Sequence, residues 1–415
     1  MAVLTPDTGR SSPRALRASG WWLAGAAAAT ALAVAALLIE TAAMGVVLSA
    51  KWPALVLAGA GLILALGAPW VAGGRRVWSA VVALAAAAAL ARWALLWPLA
   101  FHAEDVPIPS GDVRLAGTLF VPRGEGPHPA VVLIHGSGPE TRREYEWYGR
   151  LFARHGIVAL AYDKRGAGAS GGRLGQGTYE VLAGDAAAAV ALLGGRADVR
   201  ADAVGLWGIS EAEWVAPLVA ARGPVAFVVI VSASGMSPAD QVQHELEARL
   251  GAAGLSPDDV SAAAELNRKL LAYQRTGQGR EALQAALHRA RGARWFGVTN
   301  DFPEQLPDPE EYAWWRAVMD FDPSAAWRRV RSPVLVLAGG ADPHLSPERS
   351  RRTISDALSA SGAPFTFREL PGADHALLEW PLPGRMPPPV FADGHPDGMI
   401  AWVREHTTPR RSSVR

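Results

Sequence analysis

The feature that most constrains the fold of this chain is a series of short, almost wholly apolar runs that alternate with segments of helical periodicity. The apolar runs lie at 130–136, 156–163, 203–208, 225–233 and 333–339, and a strand-like alternating segment precedes them at 112–122. The helical patterns lie at 145–155, 179–193, 212–221 and 347–359. Continuous apolar strands are typical of a parallel sheet that is covered on both faces. The alternation therefore predicts a doubly wound, mostly parallel α/β sheet with right-handed crossovers, formed by residues 105–236 and 328–407.

Polar side chains stand where these predicted strands end. In a doubly wound sheet, ligands bind at the carboxyl ends of the strands, so residues at this rim are candidates for function. The rim residues are His135, Asp163, Ser210, Ser232 and Asp342.

Between two of the predicted strands, the strand signal disappears over residues 237–327. Helical patterns fill most of this stretch, and aromatic residues follow them at Trp295, Phe296, Trp314, Trp315 and Trp327. An insertion at this place in the sheet predicts a helical cap over the rim. Two interpretations of the cap stay open: it lines an acyl or aromatic pocket, or it packs as a helical subdomain that does not touch substrate.

The first hundred residues carry far less charge than the rest of the chain. Apolar runs at about 21–39, 53–72 and 77–97 are each about long enough to cross a bilayer. They predict a membrane module at 21–101, preceded by a basic segment at 1–20. Buried helices of a soluble domain would also be apolar, and a cleaved signal peptide would account for the first run alone.

Basic residues around these runs predict the orientation of the module. The arginines before the first and third runs are Arg10, Arg14, Arg17, Arg75 and Arg76. Because cytoplasmic loops carry an excess of Lys and Arg, we expect a multi-pass protein of the cell membrane with its C-terminal domain on the extracytoplasmic side. Arg92, beside Trp93 and Trp97 late in the third run, fits snorkelling to the outer interface better than an intramembrane function.

The overall composition argues against several classes of function. A net charge of +1 gives no reason to expect a nucleic-acid partner. The absence of cysteine excludes disulfides, thiolate catalysis and zinc–thiolate sites. The glycine-containing loop at 135–139 lacks the lysine spacing of a phosphate-binding loop, and we expect neither a cofactor nor a metal. The oligomeric state stays open, and the polar, basic end at 408–415 predicts a disordered tail.

The segment GLWGISEAEW, at 205–214, joins the end of an apolar run to the start of a helical pattern. Ser210 stands at the junction, with Gly208 two residues before it. A strand-to-helix turn of this kind, a nucleophile elbow, holds a serine hydroxyl on a strained backbone and needs small flanking residues, since strand and helix pass close together. The alternative is a serine that caps the N-terminus of a helix.

Two later residues complete a candidate catalytic triad. Asp342 follows the apolar run at 333–339, and His375 follows the strand-like FTFREL. In such a triad the histidine takes the serine proton and passes it to the leaving group, while the aspartate holds the imidazole tautomer and stabilises its charged form. Asp374 is a weaker candidate for the acid, because on an extended loop it would point away from its neighbour. Without catalysis, Asp342 would be a turn residue and His375 a surface histidine.

An acyl-transfer site also needs backbone N–H donors for the oxyanion. Glu211, directly after the candidate nucleophile, would supply one. The loop HGSGP at 135–139 would supply the other, and we expect it from Ser137, with Gly136 and Gly138 allowing close approach.

Five segments, VVLIHGSGP, YDKRGAGASGG, GISEA, GGAD and GADH, together resemble the α/β-hydrolase superfamily. They are most similar to its bacterial esterase and dienelactone-hydrolase-like members, which also resemble the catalytic domains of serine peptidases. The resemblance covers about residues 105–407 and implies an α/β-hydrolase fold with a helical cap. The matching positions are Ser210 as nucleophile, Asp342 as acid, His375 as base, and Ser137 and Glu211 as oxyanion donors. It also implies that Asp163 and Arg165 brace the rim.

The chain departs from the motif directly after Ser210. Ala212 stands where the second glycine would be, and overpacking by one methyl group typically costs about 1–3 kcal/mol unless a neighbour shifts. Glu213 is expected to face outward or toward the mouth of the cap. The charge of Glu211 is expected to disfavour anionic substrates.

The leading hypothesis is a membrane-anchored serine hydrolase that cleaves small or medium carboxylic esters. An acyltransferase, a thioesterase or a peptidase would use the same residues, so these alternatives stay open. A hypothesis of another class is a non-catalytic protein that binds a ligand or partner and passes a signal through its membrane spans.

Overall fold

A computed structural model describes residues 100–408 of the chain apart from 176, 299–300 and 380–389. The predicted basic segment, the three predicted membrane spans and the tail beyond residue 408 lie outside the described residues. Among the helices of the described part, none is long and apolar enough to cross a bilayer. The chain divides into two compact units, and the described residues other than Val390 belong to the unit Leu99–Glu379 with Phe391–Arg415.

Eight strands form one sheet in the order β1-β2-β4-β3-β5-β6-β7-β8. Their bounds are β1 Phe101–Ser110, β2 Val113–Pro122, β3 His128–Ile134, β4 Val158–Tyr162, β5 Val199–Ile209, β6 Val228–Val231, β7 Val334–Gly339 and β8 Phe365–Leu370. β2 pairs antiparallel with β1 and β4, and every other pair in this sheet is parallel. The prediction of a mostly parallel sheet is therefore confirmed. Two short strands, β9 (Leu378–Glu379) and β10 (Val390–Phe391), pair with each other.

Helices cover both faces of the sheet, which explains why its central strands are apolar throughout. α1 (Glu146–Arg154) and α10 (Asp397–Thr407) pack on one face. α2 (Tyr179–Gly194), α3 (Ala212–Arg222) and α9 (Pro347–Ser359) pack on the other. All residues of β4 and β7 are buried between these layers. The predicted helices at 145–155, 179–193, 212–221 and 347–359 are thus confirmed within two residues, whereas α10 was not predicted.

The sheet begins earlier than the sequence indicated. The membrane module was expected to reach residue 101, but Phe101 starts β1 and is buried in the core. β1 and β2 form a hairpin whose two-residue turn is Gly111 and Asp112. Gly111 has a φ of 58°, as such turns require. This glycine–aspartate pair between two strand-like segments was the signal from which β1 could have been recognised.

The segment between β6 and β7 is helical, as expected for residues 237–327. It contains α4 (Pro238–Ala252), α5 (Pro257–Thr276), α6 (Arg280–Ala290), a 3-10 turn (Pro309–Tyr312), α7 (Ala313–Val318) and α8 (Ser324–Trp327). Helices α4 to α6 enclose an apolar cluster of their own, which includes Trp295. Trp327 is fully buried in the core beside the sheet. For these two aromatic residues, packing rather than a substrate pocket is what the structure shows.

Candidate active site

Ser210 lies on the turn between β5 and α3. Its φ is 56°, a left-handed conformation that is uncommon for a residue with a side chain. The turn is held in place because the Ser210 amide donates to the carbonyl oxygen of Val231 at 2.9 Å and the Glu213 amide donates to that of Ser210 at 2.9 Å. The cap position of α3 belongs to Glu211, not to Ser210. The geometry is therefore that of a strained strand-to-helix turn rather than of a capping serine.

The crowding at this turn falls between Gly208 and Ala212. A Cβ atom on Gly208 would lie 2.3 Å from the Cβ of Ala212 and 3.2 Å from that of Ile134. Ala212 is fully buried, so its methyl group occupies the space that a side chain on Gly208 would need. Gly208, the one glycine of the motif that the chain retains, is thus sufficient to let β5 and α3 pass close together.

The structure brings Asp342 and His375 together. Nδ1 of His375 lies 2.7 Å from Oδ2 of Asp342, whose side chain is fully buried, whereas 27% of the His375 side chain is exposed. The second carboxylate oxygen of Asp342 accepts a hydrogen bond from the His344 amide at 2.8 Å. A buried carboxylate with this geometry fixes the tautomer of His375 so that Nε2 is left as the proton acceptor.

The loop that carries His375 is held by side chains on both sides. The hydroxyl of Ser232, which itself has a φ of 56°, donates to the His375 carbonyl oxygen at 2.7 Å. One carboxylate oxygen of Asp374 accepts the amides of Ala376 and Leu378, each at 2.9 Å. Asp374 thus shapes the loop, and the carboxylate that meets the His375 ring is that of Asp342.

The loop after β3 is anchored at Gly136. The Gly136 amide donates to Oε2 of Glu140 and to the hydroxyl of Tyr145, both at 2.7 Å. Ser137 is exposed, and Gly138 has a φ of 97°, which favours glycine. Since the Gly136 amide is already engaged, the amide of Ser137 is the better placed of the two to bind an oxyanion.

Glu211 forms a buried ion pair with Lys164. The two residues are 3% and 6% exposed, and the Lys164 ammonium donates to Oε1 of Glu211. Burial raises the pKa of Glu211, and the charge of Lys164 opposes that rise. The prediction that the Glu211 charge disfavours anionic substrates presupposed an accessible carboxylate, whereas this carboxylate lies in the interior and is paired with Lys164. Sequence reasoning missed Lys164, which lies 47 residues from its partner.

Glu213 is 1% exposed, so the expectation that it faces outward or toward the cap mouth is also wrong. Its carboxylate accepts hydrogen bonds from the amide and hydroxyl of Ser234, at 3.0 and 2.6 Å, and from the amide of Gly235, at 2.7 Å. Burial raises the pKa of Glu213 to about 7, although these hydrogen bonds oppose the rise. Glu213 thus organises the segment that follows β6.

Asp163 and Arg165 brace the rim, as the resemblance implied. The Asp163 carboxylate accepts the amides of Arg142 and Ala169 at 2.9 and 2.8 Å. Arg165 pairs with the buried Asp185 through two hydrogen bonds, at 3.0 and 2.5 Å. These contacts connect the loop after β4 to its surroundings.

His135, the other titratable rim residue, is buried and accounted for by structural contacts. Its Nε2 lies 2.5 Å from the Tyr162 carbonyl oxygen. Desolvation lowers its pKa to about 4, so the imidazole is neutral at physiological pH. Within the described ranges, no group of three or more His, Asp or Glu residues is placed to hold a metal ion.

A polar contact joins the helical insertion to the neighbourhood of His375. Oε1 of Glu245, on α4, lies 3.0 Å from Nδ1 of His344, and the rings of His344 and His375 lie 4.8 Å apart edge to face. The hydrogen bond to Glu245 is the main cause that raises the pKa of His344. The Glu245 carboxylate of the insertion is thus linked to the ring of His344, which neighbours His375.

A comparison with protein families identifies the family of the chain. A family model described as X-Pro dipeptidyl-peptidase (S15 family) matches residues 110–351, which is more than half of the chain. The matched range includes Ser210 and Asp342 and ends before His375. The match identifies the family, and the candidate roles of all three residues rest on the geometry.

Among curated proteins, esterase EstD of Thermotoga maritima is 36% identical over 75 residues, which cover 16% of this chain and only 17% of the esterase. Among solved structures, DcsB in complex with its substrate analogue is 18% identical, with a TM-score of 0.48 over 74% of this chain and 100% of that one. The proline iminopeptidase of Mycobacterium smegmatis is 17% identical, with a TM-score of 0.47 over 73% and 99%. With TM-scores below 0.5, these two likenesses add nothing to the family match.

Proposed function

The chain belongs to the X-Pro dipeptidyl-peptidase (S15) family of hydrolases, and on that premise we propose that it is a serine hydrolase whose acyl-enzyme forms on Ser210. The observation that carries the proposal is the 2.7 Å contact between Nδ1 of His375 and the buried carboxylate of Asp342. A buried carboxylate paired with a partly exposed imidazole is the arrangement that prepares a general base. The left-handed turn at Ser210 supports the assignment of the nucleophile.

The proposed reaction follows from these positions. His375 takes the proton of the Ser210 hydroxyl as its oxygen attacks the substrate carbonyl carbon, and the carbonyl oxygen becomes an oxyanion. The amides of Ser137 and Glu211 stabilise that oxyanion. The intermediate collapses as His375 gives its proton to the leaving group, and the acyl-enzyme remains. Water, deprotonated by His375, then attacks the acyl-enzyme and releases the acid.

Carboxylic esters are the proposed substrates, with small or medium apolar acyl groups. The test is a chain-length panel of p-nitrophenyl esters with Ser210→Ala as the control. Turnover that is lost in Ser210→Ala and peaks at one chain length would support the proposal. Equal turnover in both proteins would refute it.

Peptide cleavage is a second candidate, and the family match favours it. A p-nitroanilide carried by an Xaa-Pro dipeptide, assayed beside the ester panel, distinguishes the two. A kcat/KM that is higher for the anilide than for every ester would make the chain a peptidase. Acyl transfer and thioester hydrolysis would be recognised by adding alcohol acceptors or acyl thioesters to the same assay.

We also propose that the apolar runs near 21–39, 53–72 and 77–97 anchor the hydrolase in a membrane. The arginine distribution favours an extracytoplasmic hydrolase domain. Protease treatment of intact spheroplasts tests this, because a C-terminal tag should then be digested. Protection of the tag until the cells are lysed would reverse the orientation.

A non-catalytic, ligand-binding role would leave Ser210 unreactive. A fluorophosphonate probe therefore separates this alternative from catalysis, since it reacts only with an activated serine. Labelling of the wild type, absent from Ser210→Ala, would support the hydrolase. A folded wild type that stays unlabelled would favour the non-catalytic role.

A further inference from the structure

Lys164 connects the two segments that carry the candidate oxyanion donors. Its ammonium group donates to the carbonyl oxygens of Gly136, at 2.7 Å, and Gly138, at 3.2 Å, and to the carboxylate of Glu211. The two glycines flank Ser137 in the loop after β3, whereas Glu211 lies in the turn after β5. One buried side chain thus reaches both halves of the site.

The contact with Gly136 fixes a peptide plane. The carbonyl of Gly136 and the amide of Ser137 belong to the same planar, trans peptide unit, so they point in opposite directions. The amide of Gly136 is held separately by Glu140 and Tyr145. With Lys164 holding the carbonyl, rotation of this unit would break a charge-assisted hydrogen bond. The Ser137 N–H therefore stays directed away from Lys164.

We propose that Lys164 is a positioning residue of the oxyanion hole, holding the amides of Ser137 and Glu211 in one preorganised arrangement; this rests on the proposed serine-hydrolase function. Preorganised donors stabilise an oxyanion because they need no reorientation as charge develops. Without Lys164, the unit between Gly136 and Ser137 is free to turn its carbonyl oxygen toward the substrate. A bound cation also polarises the peptide and strengthens its N–H as a donor.

Stability alone is a poor explanation for this pair. Replacing a buried ion pair with apolar residues of similar volume is often neutral or stabilising, whereas removing one partner leaves an uncompensated charge. A test must therefore separate the position of the amides from the cost of a buried charge. Two variants do so: Lys164→Met leaves Glu211 without its ion-pair partner, and Lys164→Met/Glu211→Met removes both charges.

The measurement is the ratio of kcat/KM for a p-nitrophenyl ester to that for its thiono analogue, in which sulfur replaces the carbonyl oxygen. Sulfur accepts hydrogen bonds poorly, so a working oxyanion hole favours the oxygen ester. We expect Lys164→Met to lower kcat for the oxygen ester by about 10²-fold, with KM nearly unchanged, and to lower the ratio. The double variant should be more stable to unfolding than Lys164→Met, while its ratio of oxygen-ester to thiono-ester kcat/KM stays low.

Arg165→Met is the matched control, because Arg165 is the adjacent cation and pairs with Asp185 rather than with either oxyanion segment. It should lose stability and keep the wild-type ratio. If folded Lys164→Met or the double variant keeps the wild-type ratio, Lys164 does not position the hole, although the hydrolase stands. If the wild type cleaves neither these esters nor the Xaa-Pro p-nitroanilide, or if Ser210→Ala cleaves the esters as fast as the wild type does, the proposed function fails and this inference with it.

Discussion

Gly208 and Ala212 approach so closely that a Cβ atom on Gly208 would lie 2.3 Å from the Cβ of Ala212. The same atom would also lie 3.2 Å from the Cβ of Ile134 and 3.3 Å from its carbonyl oxygen, so Ala212 is not the only neighbour that crowds it. The crossing of β5 and α3 thus requires one residue without a side chain. Because Gly208 is that residue, an alanine at the motif's second glycine position is compatible with the turn.

Gly208→Ala should therefore disrupt the turn. We expect it to lower the free energy of unfolding by about 1–3 kcal/mol through overpacking, and to lower ester turnover because Ser210 is displaced. Urea denaturation and the p-nitrophenyl ester assay measure the two effects. In the control Ala212→Gly, activity should persist, and glycine in the helix should cost up to about 1 kcal/mol. Wild-type stability in Gly208→Ala would contradict the packing argument.

Asp342→Asn should leave the fold intact and reduce kcat for ester hydrolysis by about 10⁴-fold. The amide no longer stabilises the charged imidazole of His375, and it favours the wrong tautomer. Steady-state kinetics with circular dichroism separate lost activity from lost folding. Asp374→Asn is the control, since a single carboxylate oxygen accepts both of its amide hydrogen bonds and the asparagine carbonyl can replace it. Equal losses in the two variants would refute the assignment of Asp342.

The central strands could be predicted from the sequence because burial on both faces makes them apolar throughout. β7 is an example, since it coincides with most of the predicted run at 333–339. The two elements that were not predicted, β1 and α10, lie at the periphery of the fold. β1 is an edge strand that mixes charged and apolar residues and exposes part of its length, and α10 exposes part of its surface. Neither therefore carries the apolar run on which the prediction relied.

The polar interior of the candidate site gave weaker sequence signals than its candidate reactive residues. Ser210, Asp342 and His375 follow strand ends, a position that the topology makes informative. Glu211 and Lys164 are charged, and charged side chains are rarely fully buried unless paired. Their pairing depends on the approach of two loops across the sheet, which no local pattern encodes.

Glu213 should make the stability of the protein depend on pH. Burial raises its pKa from 4.5 to about 7, so the folded state favours the protonated carboxyl. The resulting stabilisation is fully present below pH 4.5 and is lost as the pH rises through about 7. Over that window the loss should be about 3 kcal/mol. In urea unfolding across this pH range, the free energy of unfolding of the wild type should fall relative to that of Glu213→Gln, which does not titrate at this position. If the two free energies changed with pH in parallel, the assignment to Glu213 would be contradicted.

His344 should couple the insertion to the carboxyl end of the sheet at low pH. Its pKa is raised mainly by the hydrogen bond to Glu245, and the negative charge of Asp342 adds to the rise while Arg249 opposes it. A raised folded pKa means that the contact contributes its full stability below 6.5, and that the contribution is lost as the pH rises through the folded value.

The stability difference between the wild type and His344→Gln should therefore shrink as the pH rises, when both are unfolded in urea. Glu245→Gln is the matched variant, because it removes the partner that raises the pKa of His344. Both variants should lose the same part of the pH dependence, since each breaks one contact between α4 and the loop after β7. A difference that stays constant with pH would mean that the contact does not depend on the imidazolium charge.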